Sequence, residues 1–414
     1  LRNSSAASDV YKRQAGRKVK LSPLYDRLAA AGAEFGSYGG WERADWFPKN
    51  GADRYPANSY DRQHWFDTVG KECRHVAEHA GIIELTGFSR FHLKGDGAAD
   101  WLASLITGNL PQVGRFGLVY FASAKGKVLT EMSATRLAED EFLLITGAGA
   151  YWHDRDLLNG CLPTSGGVSL QDTTRDYATL LVTGPKSPAI IAAVSGLSTS
   201  QADFPWLSYQ PCQIAGCWVT AIRVSFAGEA GWEIHCDMAD VLTVYDQIMK
   251  AGAPHQLGHF GMLALDSMRL EKGYRSWKSD LTSDYTMLES GLGRWVKFDK
   301  ADFVGRSALQ AEHQAGSKRQ FAMLTLDDPV DGNSDPFGEA VYLSVVQCDG
   351  VDSGLVVSAG YGHRVNKSIA MAVVDTEKLV SASQISVAVV GRPRSAHLVP
   401  AHALYDLNDE KLRG

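Results

Sequence analysis

The sequence lacks the features that would place this chain in a membrane or on nucleic acid. It has no stretch of about 18 apolar residues, and its N-terminus lacks the basic and then apolar order of a signal peptide. The formal net charge is −6, and no run of Lys and Arg forms a basic stripe. These absences predict a cytoplasmic protein with neither a membrane nor a nucleic-acid partner.

Metal and disulfide signatures are also missing. The six cysteines are scattered without a Cys-x-x-Cys pair, which fits a reducing compartment and indicates neither a zinc knuckle nor a disulfide framework. The run from His75 to His79 matches the spelling of a zinc-binding helix. However, the helix is expected to end at Gly81 and no third ligand helix follows, so we predict no metal site.

Glycine-rich nucleotide motifs are incomplete. The run 147–149 lacks the third glycine and the downstream acid of a dinucleotide fingerprint, and the run 184–187 lacks the glycine lead of a phosphate loop. Neither predicts FAD or NAD binding by the familiar route.

The composition that is present is that of a globular protein. The 414 residues are 45% hydrophobic and 21% charged, which predicts about two to three domains. Residues 1–14 look unrelated to the rest and resemble a translated cloning adapter. Residues 20–66 are aromatic and turn-rich, and we predict an irregular, packed connecting arm there.

After the arm, strands and helices mix without a strict βαβ rhythm, which predicts an α+β fold. The predicted helices are 65–80, 98–106, 151–158, 186–195, 238–251 and one from Phe260 to a stop at Gly273. The predicted strands are 88–94, 117–122, 127–136, 142–146, 177–183, 211–226 and 231–236. Beyond about residue 316, short β-rich runs at 320–326, 340–347, 354–358, 369–374 and 384–390 predict a small all-β barrel or sandwich.

The run from Phe226 to Glu233 is the most informative one. It reads as a strand, a glycine-rich turn and a second strand, and it sets the carboxylate of Glu233 between Trp232 and Ile234. A carboxylate among apolar residues needs a partner, and the planar donor pair of a pterin ring could supply one. The alternative is that Glu233 faces solvent on the polar side of an alternating strand.

Other ionisable residues are candidates for chemistry. Glu131 follows a hairpin turn on an apolar strand, where burial would raise its pKa and allow it to accept a proton near neutral pH; an exposed cross-strand Glu is the alternative. His153 and Asp154 are adjacent on a helix, so we expect them to point to different faces and not to hold one another. Asp266 and Arg269 either pair across a helical turn or leave Arg269 facing a ligand.

Several motifs, in this order, resemble the C-terminal half of dimethylglycine and sarcosine dehydrogenases, which is itself similar to the aminomethyltransferase of the glycine cleavage system. The similar segments are 38–43, 46–47, 114–115, 135–140, 144–147, 153–154, 228–233, 268–277, 288–292 and 302–306. The resemblance spans residues 20–405. It implies a cloverleaf of folate-binding subdomains closed by a C-terminal β-barrel.

The resemblance also implies roles for single residues. Glu233 matches the carboxylate that holds the pterin of tetrahydrofolate, while Phe226 and Tyr274 match aromatic residues of the same site. Glu131 falls where the wider family usually has an aspartate over the reactive folate nitrogen, and Arg269 is a further candidate ligand contact. Leu265 stands where glycine-cleavage relatives often have an arginine, so a charged contact is not carried over there.

The resemblance implies a domain plan of a connecting arm at 15–72, a folate-binding domain at 73–315 and a barrel at 316–408. It also implies an N-terminal flavin domain in the intact protein, where FAD would oxidise an N-methylated amine. This part would then pass the one-carbon unit to tetrahydrofolate. The alternatives are a standalone folate-dependent O- or S-demethylase, and a non-catalytic iron–sulfur assembly protein, whose characteristic cysteine is absent from 297–306.

Overall fold

The computed structural model describes residues 16–48, 62–164, 166–327 and 338–414. The predicted tail at 1–14 lies outside them. The helices are α1 Tyr25–Ala30, α2 Phe66–Glu78, α3 Ala98–Leu105, α4 Tyr151–Cys161, α5 Ser187–Ser195, α6 Val241–Gly252, α7 Met262–Glu271, α8 Arg306–Ala315, α9 Thr376–Ser381 and α10 Glu410–Arg413.

The strands form two open sheets, one hairpin and one closed barrel. They are β1 Glu34–Tyr38, β2 Trp41–Trp46, β3 Ala80–Glu84, β4 Ser89–Lys94, β5 Phe116–Ala122, β6 Val128–Ala138, β7 Glu141–Thr146, β8 Ser169–Asp172, β9 Tyr177–Thr183, β10 Tyr209–Ile214, β11 Cys217–Ile222, β12 Gly231–Asp237, β13 Leu257–His259, β14 Arg319–Leu326, β15 Val345–Cys348, β16 Val351–Gly362, β17 Lys367–Asp375, β18 Ile385–Val389 and β19 Arg392–Leu398.

The arm is more regular than predicted, because it contains α1 and the β1–β2 hairpin. Gly39 and Gly40 form the two-residue turn with φ of +59° and +85°, and a hairpin turn with both central residues at positive φ strongly favours glycine. Trp41 and Trp46 then pack inward, each 7% exposed. The irregular-arm prediction is therefore wrong over this stretch, where the Gly-Gly pair was the missed hairpin signal.

A six-stranded sheet carries the larger core. Its order is β10-β11-β12-β9-β3-β13, and alternate residues of β12, namely Trp232, Ile234 and Cys236, enter an apolar cluster that also contains residues of α5 and α6. The single strand predicted over 211–226 is wrong. The chain turns at Ala215 and Gly216, both at positive φ, and makes the β10–β11 hairpin instead.

A five-stranded sheet of order β5-β6-β7-β4-β8 forms the second layer. One face of it packs on α3 through an apolar cluster that includes Phe91 of β4, Met132 and Ala134 of β6, and Leu144 of β7. Because side chains alternate along a strand, the residues between these positions point to the opposite face. That opposite face carries the polar side chains described below.

The C-terminal strands close into a six-stranded barrel of order β14-β17-β16-β15-β18-β19, which confirms the predicted all-β barrel. The sixth strand, β19, was not predicted, because its sequence Arg-Pro-Arg-Ser-Ala-His-Leu is mostly polar and exposed. Pro393 lies in this strand at its pairing with Ala388. A proline is unusual in a paired strand because it cannot donate a ladder hydrogen bond.

Candidate functional site

The polar faces of the two open sheets meet at a three-residue contact. Arg90 of β4 places Nη1 3.0 Å from Nδ1 of His235 on β12, and Nε2 of His235 lies 3.2 Å from a carboxylate oxygen of Glu233. Both β12 residues point away from the Trp232 core. The contact therefore places Glu233 between the polar faces of the two sheets, a region called the interior below, where its side chain is partly exposed.

Arg90 also fixes the hydrogen-bonding roles at this contact. A guanidinium can only donate, so Nδ1 of His235 accepts, and Nε2 carries the proton and donates to Glu233. Burial lowers the pKa of His235, which keeps the ring neutral. The Glu233 side chain is 21% exposed. Within the described residues, its second oxygen has no hydrogen-bond donor and remains able to accept.

Strand register places Glu131 in the same interior. Arg90 pairs with Ile145 of β7, and Ile145 pairs with Ser133 of β6. Ser133 and Glu131 are two residues apart, so they share a face, which lies opposite the core residue Met132. Glu131 and the Arg90–His235–Glu233 contact therefore face the same space.

The surroundings of Glu131 make it a candidate base. Tyr120 lies directly opposite on β5, with its side chain on the same face of the sheet. Burial raises the pKa of Glu131 to about 7, the direction expected from its sequence context, while Tyr120 and the charge of Arg275 oppose that rise. Near neutral pH this carboxyl can therefore both hold and release a proton.

Phe226 and Tyr274, the two aromatic residues expected at the site, form a stacked pair. The rings of Phe226 and Tyr274 stack with centroids 5.6 Å apart and an interplanar angle of 20°. Phe226 comes from the loop between β11 and β12, not from the strand that the sequence predicted. Tyr274 follows Gly273, which has φ +67°, and its neighbour Arg275 is the cation that acts on Glu131. Tyr274 is therefore next in sequence to a residue whose charge acts on Glu131.

Arg269 has protein partners for its donors. Its Nε lies 2.8 Å from Asp266, its Nη1 contacts Asp280 at 2.6 Å and the Tyr274 carbonyl at 3.0 Å, and its Nη2 contacts Ser358 at 2.7 Å. This arrangement favours the pairing with Asp266 across a helical turn, and it makes Arg269 a support for the Tyr274 backbone. The ligand contact expected of Arg269 stays a prediction.

One expectation about adjacent acid and base side chains was wrong. His153 and Asp154 do hold one another, with Nδ1 and Oδ1 2.7 Å apart. Asp154 is fully buried, and its other oxygen accepts from Thr146 at 2.7 Å. The Thr146 hydroxyl oxygen also lies 3.1 Å from the backbone carbonyl oxygen of Glu131, so the pair supports the strand that carries the candidate base.

Sequence reasoning missed Arg90, Tyr120, His235 and Arg275. Each lies on a different segment, and only Arg275 belongs to a recognised motif, the segment 268–277, where its own role was not inferred. Only strand register brings Tyr120 opposite Glu131, and the pairing of β5 with β6 could have suggested it, because the predicted hairpin already placed these strands side by side.

No group of three or more potential metal ligands occurs among the residues that the structure describes. Nε2 of His75, in the zinc-like motif, contacts the backbone oxygen of Gln256 at 2.7 Å. Across the same described ranges, no helix is long and apolar enough to cross a membrane.

The raised pKa of Glu131 predicts a stability effect. In the unfolded chain this carboxyl ionises near 4.5, and in the folded chain near 7, so the unfolded state binds fewer protons between these values and stability falls as pH rises. Glu131→Gln removes that penalty. We expect the free energy of unfolding of the variant to exceed that of the parent by about 1–3 kcal/mol at pH 8, and to differ little from it at pH 4.

Urea denaturation of both proteins at pH 4 and pH 8 measures this difference. A gain of equal size at the two pH values would mean that the substitution acts through packing, and would contradict the proposed titration.

The two family models that match the chain cover most of it. The model of the GCVT N-terminal domain matches residues 24–300, and that of the glycine cleavage T-protein C-terminal barrel domain matches residues 319–406. Among solved structures, the glycine cleavage system aminomethyltransferase T from Bartonella henselae has a TM-score of 0.77 at 22% identity, covering 94% of this chain and 99% of that one. This likeness shows the fold.

Curated relatives include two mitochondrial dehydrogenases of Mus musculus. Dimethylglycine dehydrogenase is 33% identical over 94% of this chain and 44% of its own length, and sarcosine dehydrogenase is 32% identical over 86% and 42%. The chain thus spans less than half the length of these relatives. On its fold and on the match over residues 24–300, the chain belongs to the glycine cleavage T-protein, or aminomethyltransferase, family.

Proposed function

We propose that this chain binds tetrahydrofolate between its two open sheets and catalyses transfer of a one-carbon unit from an oxidised N-methyl amine. The proposal rests on Glu131, with a pKa near 7, lying by strand register on the sheet face from which Arg90 reaches His235 and Glu233. Among the described residues, one oxygen of Glu233 has no hydrogen-bond donor. Glu131 is suited to accept and release a proton, and Glu233 is suited to bind a ligand through hydrogen bonds.

The residues present fit a reduced folate. Glu233 offers an acceptor oxygen to the donor edge of a pterin, in the planar geometry that carboxylates favour. Phe226 and Tyr274 supply apolar rings at the edge of the interior, a surface suited to an aromatic ligand. Arg294 is exposed and acts electrostatically on Tyr274, so it is a suitable partner for the glutamate carboxylates of the folate tail.

Each side chain then has a distinct part. Tetrahydrofolate supplies the nitrogen nucleophiles that accept the one-carbon unit, with 5,10-methylenetetrahydrofolate and the demethylated amine as products. Glu233 sets the orientation of the pterin, and His235 holds Glu233 in place. Glu131 accepts the proton released at the attacking nitrogen, while Tyr120 and Arg275 stabilise its ionised form.

The proposal extends to the intact protein. The relatives are named as dehydrogenases of dimethylglycine and sarcosine, which favours an N-methylated amino acid as the amine and an FAD-containing flavin domain as the source of the oxidised group. The arm at 15–72, the folate domain at 73–315 and the barrel at 316–408 are the proposed units. All six cysteines are free, in keeping with a reducing compartment such as the cytoplasm.

Folate binding is tested with Glu233→Gln. We expect the affinity for tetrahydrofolate to fall about tenfold to a hundredfold, because the amide replaces a charged acceptor and presents a donor to the pterin edge. Isothermal titration calorimetry of the parent and the variant measures the change.

The matched control is Glu141→Gln. Glu141 is also a strand glutamate paired with a histidine, His92, at 2.7 Å. It is the first residue of β7, four residues from the Ile145 that pairs with Arg90, and its side chain is 38% exposed. Its substitution should leave folate affinity within about twofold. Glu229 is unsuitable as a control, because it is buried against Arg364 and Tyr405. No heat from the parent protein, or equal loss in both variants, would refute the proposed site.

A further inference from the structure

Arg43 is a buried cation without an acidic partner in contact. It lies on β2, is 5% exposed, and its Nη2 donates only to the thioether of Met262 at 3.0 Å. Its Nε is buried without a hydrogen-bond partner. Within the described residues no carboxylate lies within ion-pair distance, although an uncompensated buried charge is expensive.

The surroundings of Arg43 are two aromatic rings and two acids that are not in contact with it. Its guanidinium carbon lies 5.1 Å from the ring centroid of Tyr38 and 4.6 Å from that of Phe88, so aromatic rings flank a planar cation. Asp45 and Glu84 act on it from a distance. Burial raises the pKa of both acids, that of Asp45 to about 6.

Arg43 stays charged at neutral pH, because burial lowers its pKa only to about 10. It also lies next to the proposed folate interior. Phe88 and Met262, which contact its guanidinium, pack against the same apolar cluster as Phe226. A guanidinium whose Nε has no acceptor and whose Nη2 contacts only a thioether retains donor capacity for a carboxylate, which an arginine can bind through two parallel hydrogen bonds.

We propose that Arg43 binds the carboxylate of the amino acid whose N-methyl carbon is transferred, an assignment that rests on the proposed function. The folate tail also carries carboxylates, but the exposed Arg294 beside Tyr274 is placed for them. Arg43 would thus select amino-acid amines over simple amines, and it would hold the amine end toward the interior that contains Glu131.

The test is titration of the full chain with sarcosine, which has the carboxylate, and with dimethylamine, which lacks it, each with and without tetrahydrofolate. Arg43→Met is the main variant, because a buried charge can often be replaced by an apolar side chain without loss of stability. We expect sarcosine affinity to fall about tenfold to a hundredfold and dimethylamine affinity to change less than about twofold. Arg43→Lys keeps the positive charge but loses the two parallel donors of the guanidinium, so the affinity for sarcosine should fall by an intermediate amount.

Several outcomes would overturn the assignment. Equal losses for sarcosine and dimethylamine would make Arg43 structural, as would no preference of the parent protein for sarcosine. A loss of tetrahydrofolate affinity without a loss for 6-methyltetrahydropterin, which has no glutamate tail, would place the folate tail on Arg43. If the parent binds sarcosine through Arg43 but does not bind tetrahydrofolate, the proposed function fails and the carboxylate site stands.

Discussion

Replacing Arg364 with methionine is expected to lower the free energy of unfolding by about 3–5 kcal/mol, the usual cost of breaking a buried ion pair on one side. Arg364 follows β16 of the barrel and is almost fully buried. Its Nη1 lies 2.9 Å from Glu229 in the loop before β12, and its Nε contacts Glu271 at the end of α7. The substitution leaves two buried carboxylates without their cation.

The same contacts join the barrel to α7 and to the loop before β12. The backbone N–H of Arg364 donates to Glu271 at 2.7 Å, its Nη2 donates to the carbonyl of Met268 at 3.0 Å, and the hydroxyl of Tyr405 donates to Glu229 at 2.5 Å. Loss of Arg364 is therefore expected to loosen the interface as well as lower stability, and limited proteolysis between the domains reports that effect.

The pH dependence identifies the cause. Burial raises the pKa of both Glu229 and Glu271, and Arg364 opposes the rise. Without the arginine both pKa values rise further, so the variant loses more stability as pH increases from 5 to 8. Arg27→Met is the control, because Arg27 is 56% exposed in a surface pair with Asp246 and should cost less than about 1 kcal/mol. If the loss of unfolding free energy in Arg364→Met does not change with pH, the two carboxyl groups are not its cause.

Local sequence patterns predicted most single elements of the fold. The strand at 177–183 matches β9, and the helix that starts near Phe260 and stops at Gly273 contains α7, because regular apolar spacing and a glycine stop act within one segment. Errors arose where polar composition hid a strand, as in β19, or where a short turn divided a long apolar run, as between β10 and β11.

The site was predictable only in part. Glu233 and Glu131 belong to segments with recognisable motifs, and the resemblance to a family supplied their expected roles. Their partners depend on contacts between distant segments: His235 meets Arg90 across 145 residues of chain, and Arg364 meets Glu229 across 135. Such pairings follow from sheet register and domain docking, which no periodicity within a single segment encodes.

Glu131→Gln is expected to reduce the rate of one-carbon transfer by about a hundredfold to ten-thousandfold, the range typical of a lost general base. Glu131 has a pKa near 7, so the rate constant of the parent should rise with pH through that value as the carboxyl ionises. The variant should show a slow rate without this rise. Its affinity for tetrahydrofolate should change less than about threefold, since Glu233 is intact.

The measurement is the rate of 5,10-methylenetetrahydrofolate formation from tetrahydrofolate and the iminium that formaldehyde forms with sarcosine, corrected for the uncatalysed reaction. Glu131→Asp is the informative partner variant, because it keeps the titrating group and shortens its reach by one methylene. The rate constant of this variant should be lower than that of the parent but should still rise with pH. Should Glu131→Gln keep the same rise near pH 7, the proton must be accepted by another residue, and the structural support from Thr146 and Tyr120 would then serve strand β6 alone.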